Sequence, residues 1–306
     1  MKKPLVFTLM LFAAFSFFCA WRSACHADEP PTAPILRIES GMHTSAIRRI
    51  GTDAQNRFLV TGSEDKTVRV WDLENGNLLK ILRPPIGEGD EGKIYAVAIS
   101  PDGSTVAAGG FTQFAGGSSE ISPEGNNIYL FDRSTGAMTG RITGLPNVIN
   151  HLAYSKDGQF LAAALGEGGI RIFRRDGSLA GEDTDYGDYS LWADFDAKGR
   201  LVTTCLDGYI RVYESQTFRL LLREKAQGGK EPFSAVFSPD GTKIAVGFND
   251  STNVDVLSAK DLSHLYSPST AGVNNGDLGS VAWSYDGSTV FAGGLYAKGG
   301  ALPILA

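Results

Sequence analysis

One pattern recurs along most of the chain: an apolar strand, a short turn built around glycine, and a second apolar strand. Five copies have the glycine, and they are YAVAISPDGSTVAAGG (95–110), HLAYSKDGQFLAAAL (151–165), WADFDAKGRLVTTCL (192–206), SAVFSPDGTKIAVGF (234–248) and SVAWSYDGSTVFAGG (280–294). A sixth copy, AIRRIGTDAQNRFLVTGS (46–63), comes first and lacks the glycine. The turn glycines are separated by 55, 41, 42 and 46 residues and are Gly103, Gly158, Gly199, Gly241 and Gly287. Each copy therefore belongs to one repeated structural unit.

A third apolar strand follows the second one in each of the first five units. These third strands are TVRVWD (67–72), NIYLFD (127–132), GIRIFR (169–174), YIRVYE (209–214) and NVDVLS (253–258). A fourth strand, such as LLKIL (78–82), comes after a further turn, and no segment has a sustained helical period. Four short antiparallel strands in about 40–45 residues are the blade of a β-propeller. The sequence therefore predicts an all-β fold, a propeller with six visible repeats.

The repeats resemble those of the WD40 family, and the resemblance extends over residues 35–306. The segments SPDGSTVAAGG and MHTSAIRRI…FLVTGSEDKTVRVWDLENG carry it. The resemblance implies a hydrogen-bonded tetrad in the first blade, formed by His43, Thr61, Asp65 and Trp71. The next four blades have other residues in place of the tryptophan, namely Phe131, Phe173, Tyr213 and Leu257.

The two ends of the repeat region suggest how the propeller closes. The segment ALPILA (301–306) reads as a third strand, and ILRIE (35–39) reads as a spare outermost strand. WD40 propellers close in a similar way, with an N-terminal strand completing the last blade. We therefore expect either a closed six-bladed ring or an incomplete seven-bladed one, in which case the chain is a fragment.

The first 27 residues differ from the repeats. Lys2 and Lys3 give a positive start, an apolar run follows over 5–21, and SACHA (23–27) offers small residues for cleavage after Ala27. This is the layout of a signal peptide. An uncleaved membrane anchor is the alternative, although the apolar run is shorter than the ~20 residues of a membrane span.

This layout predicts an exported bacterial protein, periplasmic or secreted, with no membrane contact after cleavage. The expected domains are a signal peptide (1–27), a short linker (28–34) and a WD40-like propeller (35–306).

Cleavage would change the charge of the protein. The removed segment contains Lys2, Lys3 and Arg22, which leaves 25 of the 28 Lys and Arg residues against 34 Asp and Glu, a net charge of −9. A protein this acidic is not attracted to nucleic acid. Cys205 would be the one cysteine left, so an intrachain disulfide is excluded.

The segment GEGDEGKI (87–94) matches a phosphate-binding loop at Gly87, Gly92 and Lys93 but lacks the final Ser or Thr. It runs into a strand, whereas a phosphate loop precedes a helix, and its three acidic residues would repel a triphosphate. We interpret it as a turn between blades.

Two groups of residues could be mistaken for catalytic sites. His43, Asp65 and Thr61 have the side chains of a nucleophilic triad, but in a blade they satisfy one another as buried polar partners. Cys205 lies in a second strand, where a buried and unreactive thiol is expected. The sequence therefore predicts no catalytic residue, no cofactor and no enzyme.

The acidic segment GEDTDYGDY contains the one weak metal candidate, a calcium site at Asp183, Asp185 and Asp188. An EF-hand needs Gly at its sixth position, but Gly187 is fifth. We therefore interpret the segment as a solvated loop.

An insertion, GGFTQFAGGSSEISPEGN (109–126), interrupts the second blade and is expected to expose Phe111 and Phe114. Loops on a rigid scaffold are where binding residues tend to lie. Other candidates lie at strand ends near one face of the propeller, and they are Tyr95, Asn150, Trp192, Phe233, Asn249 and Asp250.

These features favour a non-catalytic scaffold that binds another protein or a peptide. Two alternatives stay open: a propeller enzyme with a metal or cofactor in its central channel, and a truncated sensor module of a larger protein that carries an effector such as a peptidase. The sequence does not indicate an oligomeric state.

Overall fold

The computed structural model describes residues 41–112 and 125–306, which lie in one compact unit, Glu39–Ala306. Within these ranges all regular structure is β-sheet, as the repeats predicted. The strands are β1 (Ile47–Thr52), β2 (Phe58–Ser63), β3 (Val68–Asp72), β4 (Leu78–Leu82), β5 (Ile94–Ile99), β6 (Thr105–Gly110), β7 (Asn126–Asp132), β8 (Met138–Leu145), β9 (Ile149–Tyr154), β10 (Phe160–Leu165), β11 (Ile170–Arg174), β12 (Leu179–Asp183), β13 (Ser190–Phe195), β14 (Leu201–Cys205), β15 (Tyr209–Tyr213), β16 (Leu220–Lys225), β17 (Pro232–Phe237), β18 (Lys243–Phe248), β19 (Val254–Ser258), β20 (His264–Tyr266), β21 (Ser280–Trp283) and β22 (Val290–Gly293).

The strands form six antiparallel sheets in which each strand pairs with the next one along the chain. Sheets one to five contain four strands each, β1–β4, β5–β8, β9–β12, β13–β16 and β17–β20, and sheet six contains β21 and β22. An isolated bridge between Ala292 and Leu305 adds a third segment to sheet six, within the predicted strand 301–306. This confirms the predicted all-β fold of four-stranded antiparallel blades.

The first strands of successive sheets lie side by side. Contacts between β17 and β21 show that they run in the same direction: the Val281 amide donates to Ser234, and the Trp283 indole donates to the Val236 carbonyl. Between β9 and β13 the Ala193 amide donates to His151, with the same offset of one position between the repeats. All first strands therefore begin at the same end of the molecule.

Glycines near the ends of the second strands allow the neighbouring sheets to approach one another. A Cβ on Gly62 would lie 2.6 Å from Val97, and one on Gly109 would lie 2.8 Å from Ile149. Ordinary side chains never come this close, so a larger residue at either position would push the next first strand away. The space between sheets is filled with buried apolar side chains instead, each contributing roughly 1.5–3 kcal/mol.

The outward face of β1 is an exception to this burial. Ile47 and Ile50 are 50% and 63% exposed, whereas the residues at the equivalent positions of β5, Ile94 and Val97, are buried beneath sheet one. The described sheets thus leave this face of β1 uncovered and do not by themselves close the propeller. In the same ranges no helix is long and apolar enough to cross a membrane.

The turn between the first two strands is held by a serine and an aspartate. In sheet two the Ser100 hydroxyl donates to Asp102 at 2.5 Å, and Asp102 accepts the Ser104 amide at 2.9 Å. The same bonds recur around Asp240 and Asp286. The turn glycines of all five glycine-containing copies have φ between 69° and 82°, a conformation that glycine adopts without strain.

The first copy forms the same turn without glycine. Asn56 has φ of 52°, and asparagine tolerates this left-handed conformation better than most residues. Asp53 replaces the serine and accepts the Arg57 and Phe58 amides at 2.7 and 3.0 Å. The missing glycine therefore does not change the turn.

The turn aspartates predict acid sensitivity. Hydrogen bonds, first from the preceding serine, lower the pKa of Asp102, Asp240 and Asp286 to about 2. Because the unfolded pKa is near 3.8, the stabilisation is complete above about pH 4 and is lost as the pH falls towards 2. A variant with all three changed to Asn should have a lower Tm than wild type at pH 6, with the difference disappearing near pH 2. Parallel Tm curves from pH 6 to 2 would contradict this.

Candidate functional site

The four residues of the expected tetrad form one hydrogen-bonded chain in sheet one. His43 Nδ1 lies 2.8 Å from Asp65 Oδ2, and His43 Nε2 lies 2.7 Å from Thr61 Oγ1. Trp71 Nε1 donates to the same Thr61 oxygen at 2.9 Å. This assigns the proton on Nδ1 to the bond with Asp65, so the Thr61 hydroxyl donates to Nε2. The chain ties the loop before β1 to β2, β3 and the turn between them, and the Thr61 residue at its centre is only 4% exposed.

Sheet four builds a different network at equivalent positions. Tyr186 lies 17 residues before Thr203, close to the 18 residues that separate His43 from Thr61. Its hydroxyl lies 2.6 Å from Thr203 Oγ1 and 2.8 Å from the Tyr213 hydroxyl, in the strand position that Trp71 has in sheet one.

The acidic segment before β13 supports this network. The Tyr213 hydroxyl donates to Asp183 at 2.8 Å, Arg223 pairs with Asp185, and Asp188 accepts its neighbour's amide. The three carboxylates of the weak calcium candidate thus bind separate partners. Across residues 41–112 and 125–306 no group of three or more His, Cys, Asp or Glu side chains is arranged to hold a metal ion.

Cys205 is fully buried at the end of β14. Its thiol donates to the Asp188 carbonyl at 3.2 Å and accepts the Asp207 amide at 3.3 Å. Burial raises the pKa of the thiol to about 12, so it stays protonated at physiological pH. A thiol in this state is a poor nucleophile.

In the loop that resembles a phosphate-binding motif, the lysine forms ion pairs with acidic residues of the protein itself. Lys93 pairs with Asp90 at 2.7 Å and lies 3.7 Å from Glu64. The Gly92 amide donates to the Phe111 carbonyl and is therefore not directed at a ligand. The segment leads into β5, in agreement with its interpretation as a turn.

Several of the predicted binding residues come together where the first strands begin. We call this group the axial cluster: Arg48, Arg49, Tyr95, His151, Trp192 and Phe233. Arg49 of β1 is its centre. Its guanidinium lies 5.3 Å from the ring centre of Trp192 and 4.9 Å from that of Phe233, and Nη2 donates to the Leu191 carbonyl at 3.4 Å.

Two charged or titratable groups flank Arg49. The Arg48 guanidinium lies over the Tyr95 ring and pairs with Glu64. His151 is 8% exposed, stacks on Trp192 at 4.0 Å, and accepts the Ala193 amide on Nδ1. Burial, and then the charge of Arg49, hold the pKa of His151 well below its usual value, so it is neutral at pH 7.

Arg49 itself is half-buried, and its Nε atom is fully buried. Burial, and then the charge of Arg48, lower its pKa to about 10, which still leaves it protonated at pH 7. The axial cluster therefore combines one desolvated cation with half-buried aromatic rings from three other strands.

The remaining candidates have different surroundings. Phe111 was expected to be exposed, but it is half-buried because its ring packs edge-on against Tyr95 at 5.1 Å. Asn150 donates to the Ser190 carbonyl beside the cluster, and Asp250 accepts two amides of the loop before β17.

Asn249 follows β18, and its backbone amide donates to the Glu231 carbonyl. Phe114 lies outside the described residues.

Sequence reasoning missed Arg48, Arg49 and the role of His151. One signal was available: Arg49 pairs with Gly62 as Ala96 pairs with Gly109, so a charged residue stands where the second repeat has alanine. The partners of Arg49 on other sheets, Leu191, Trp192 and Phe233, are more than 140 residues away and could not be inferred from that substitution.

A separate cleft of about 400 Å³ lies between sheets two and three. Its lining includes both signs of charge, among them Asp102, Asp176, Arg174 and Arg175. This mixture favours no particular ligand.

Comparisons with known proteins agree with the repeats. The family model for the WD domain, G-beta repeat (WD40) matches residues 39–72 and 78–113. The chain is 32% identical over 125 residues to the small ribosomal subunit protein RACK1y of Oryza sativa subsp. japonica, which covers 41% of this chain and 31% of that protein. It is 39% identical over 70 residues to WD repeat and SOCS box-containing protein 1 of Homo sapiens, covering 22% and 15%.

A longer match, 23% identical over 176 residues, is to the periodic tryptophan protein 2 homolog of Dictyostelium discoideum and covers 57% of this chain and 17% of that protein. The chain thus spans less than a third of each of these relatives. All three are eukaryotic, so the expected bacterial origin stays a prediction.

The tetrad predicts a specific loss of stability. Thr61→Val keeps the shape of the side chain but leaves His43 Nε2 and Trp71 Nε1 without a partner. Each such group costs about 1–3 kcal/mol, so we expect the free energy of unfolding to fall by about 2 kcal/mol or more in urea denaturation. Thr105→Val is the matched control, because that hydroxyl makes only an exposed contact with Ser104. Equal effects of the two substitutions would contradict the assigned network.

The burial of the Cys205 thiol leads to a prediction about its reactivity. Native protein at pH 8 should leave Cys205 unmodified by iodoacetamide, since burial and the raised pKa both suppress the thiolate. Peptide mapping by mass spectrometry should find the label at Cys205 after unfolding in guanidinium. Rapid labelling of the native protein at this position would show that the site opens readily.

Proposed function

We propose that this protein is a non-catalytic scaffold that binds another protein or a peptide at the axial cluster. The observation that carries the proposal is the meeting of Trp192 and Phe233, which come from two different first strands and both lie against Arg49, while Tyr95 of a third lies against the neighbouring Arg48. Aromatic and arginine side chains dominate the binding energy of protein interfaces. Half-buried rings held on strands lose little freedom when a partner packs on them.

The known proteins that the chain resembles support this reading at the level of the repeat. WD40 repeats generally mediate protein–protein interaction, and the relatives' names include a ribosomal subunit protein, a SOCS box-containing protein and a pre-mRNA-splicing factor. The named proteins share the repeat, but their names do not point to one common reaction. A binding role therefore agrees with them better than a particular chemistry does.

The chemistry of the candidate nucleophiles also favours binding. Thr61 is only 4% exposed, so a substrate cannot readily reach its hydroxyl, and the Cys205 thiol is buried and protonated. A propeller enzyme would need inward-facing ligands that recur from blade to blade. The axial cluster instead has a different residue type on each first strand.

Export is part of the proposal and rests on residues 1–27, which lie outside the described ranges. Their charge and apolar pattern favour cleavage after Ala27 and a periplasmic or secreted scaffold. The partner would then be a protein or peptide of the same compartment.

Selection of random dodecapeptides displayed on phage tests the binding role. We expect enriched peptides whose affinity falls about tenfold or more in Trp192→Ala and in Phe233→Ala, because truncating a central aromatic anchor costs about 2 kcal/mol. Tyr285→Ala is the matched control: this tyrosine is 97% exposed and follows the opposite end of a first strand. Dissociation constants from calorimetry give the comparison. Failure to enrich any peptide, or equal losses in all three variants, would count against the proposed site.

A further inference from the structure

Arg49 carries a charge that nothing in the described part of the chain neutralises. Its two hydrogen bonds go to the carbonyl groups of Arg48 and Leu191, at 3.1 and 3.4 Å, and no carboxylate in those ranges lies within 4.0 Å of it. Its neighbour Arg48, in contrast, is paired with Glu64. A desolvated charge normally has a partner of opposite sign.

Two hydrogen-bond donors of the axial cluster also lack an acceptor. Arg49 Nε and Trp192 Nε1 are both buried, and neither has a partner. Buried donors of this kind are rare in native proteins and often mark a functional position. Here both belong to side chains in contact, since the Arg49 guanidinium lies 5.3 Å from the Trp192 ring centre.

Stacking on the aromatic rings does not account for these donors. The rings of Trp192 and Phe233 attract Arg49 through the π-face of each ring. The N–H groups of a guanidinium point outward in its own plane, and they form the fork that binds carboxylates. The rings thus hold Arg49 in place, and of its hydrogen-bonding edge Nη1 and Nη2 have carbonyl acceptors whereas Nε has none.

The charges around the cluster decide which ligand it can accept. Arg49 and Arg48 are both cationic and His151 is neutral, so a Lys or Arg side chain of a partner would meet repulsion in a poorly solvated site. A carboxylate would meet attraction. One uncompensated cation matches the single charge of a carboxylate better than the double charge of a phosphate, which usually needs several basic groups.

We infer that the axial cluster receives a carboxylate of its bound peptide, either an Asp or Glu side chain or the C-terminal group, next to an apolar residue that packs on Trp192 and Phe233. The inference rests on the proposed function and adds the chemical identity of the anchor. Arg49 is the residue that recognises the carboxylate, and Trp192 supplies a second donor from its indole.

A pair of synthetic peptides tests the inference on the full chain. N-acetyl-Phe-Glu-Phe-amide and N-acetyl-Phe-Gln-Phe-amide differ only in the charge of the central residue. We expect the Glu peptide to bind at least tenfold more tightly by calorimetry. It should also shift the indole ¹H–¹⁵N resonance of Trp192, which Trp192→Phe identifies by removing it from the spectrum.

The variants separate recognition of the carboxylate from general charge effects. In Arg49→Gln the preference for the Glu peptide should fall to about onefold. Arg219→Gln is the matched control, because Arg219 is 68% exposed and lies 4.0 Å from Glu214, far from the cluster along sheet four. It should keep the full preference. If Arg49→Gln does not fold, the comparison of the two peptides on the wild-type protein still decides.

The remaining outcomes are also decisive. Equal binding of both peptides would overturn the carboxylate anchor and leave the scaffold proposal standing. Binding of neither peptide at millimolar concentration would also overturn it, while the phage selection judges the scaffold separately. N-acetyl-Phe-Phe and its amide distinguish a C-terminal carboxylate from a side chain. Displacement of the Glu peptide by equimolar inorganic phosphate would show that the site prefers phosphate and overturn the choice of ligand.

Discussion

The close approach of a first strand to the preceding sheet, set by Gly62 in sheet one and Gly109 in sheet two, is the constraint on which the rest of the structure depends. Gly62 and Gly109 leave no room for even one extra carbon beside Val97 and Ile149. This spacing brings the first strands close enough for Arg49 to reach Leu191, which is 142 residues away. A larger residue at these glycines would separate the sheets and shift the first strands that carry the axial cluster. Small residues that look featureless in the repeats therefore help to position the site.

Polar networks under the strand ends keep this arrangement rigid. Sheet one uses His43, Thr61 and Trp71, whereas sheet four reaches a similar result with Tyr186 and Tyr213. Both networks satisfy every hydroxyl that they bury, which is the condition under which a buried polar group specifies one structure instead of weakening it. Because the blades are fixed in this way, binding residues can differ from strand to strand without loss of the fold.

The sequence predicted the fold well because its signals are local. Alternating apolar residues and the Ser-x-Asp-Gly turn predict strands and hairpins within about twenty residues of each other. The site was predicted only in part. Trp192 and Phe233 could be placed by counting along the repeats, but the partners of Arg49 depend on how three sheets meet. The acidic segment was interpreted as a solvated loop because the bond from Tyr213 to Asp183 joins residues 30 positions apart.

The positive charge of Arg48 and Arg49 in the axial cluster affects which peptides the protein can bind. The chain has a formal net charge of −6, so an anionic partner gains nothing from the protein as a whole and must be attracted locally. Arg49 provides that attraction at short range, where burial makes it strong. A cationic peptide would be drawn to the acidic surface yet rejected at the axial cluster, where its charge would meet Arg48 and Arg49. The net charge of the protein thus favours cationic peptides, whereas the axial cluster favours anionic ones. Cationic peptides that gather at the acidic surface are therefore kept out of the site.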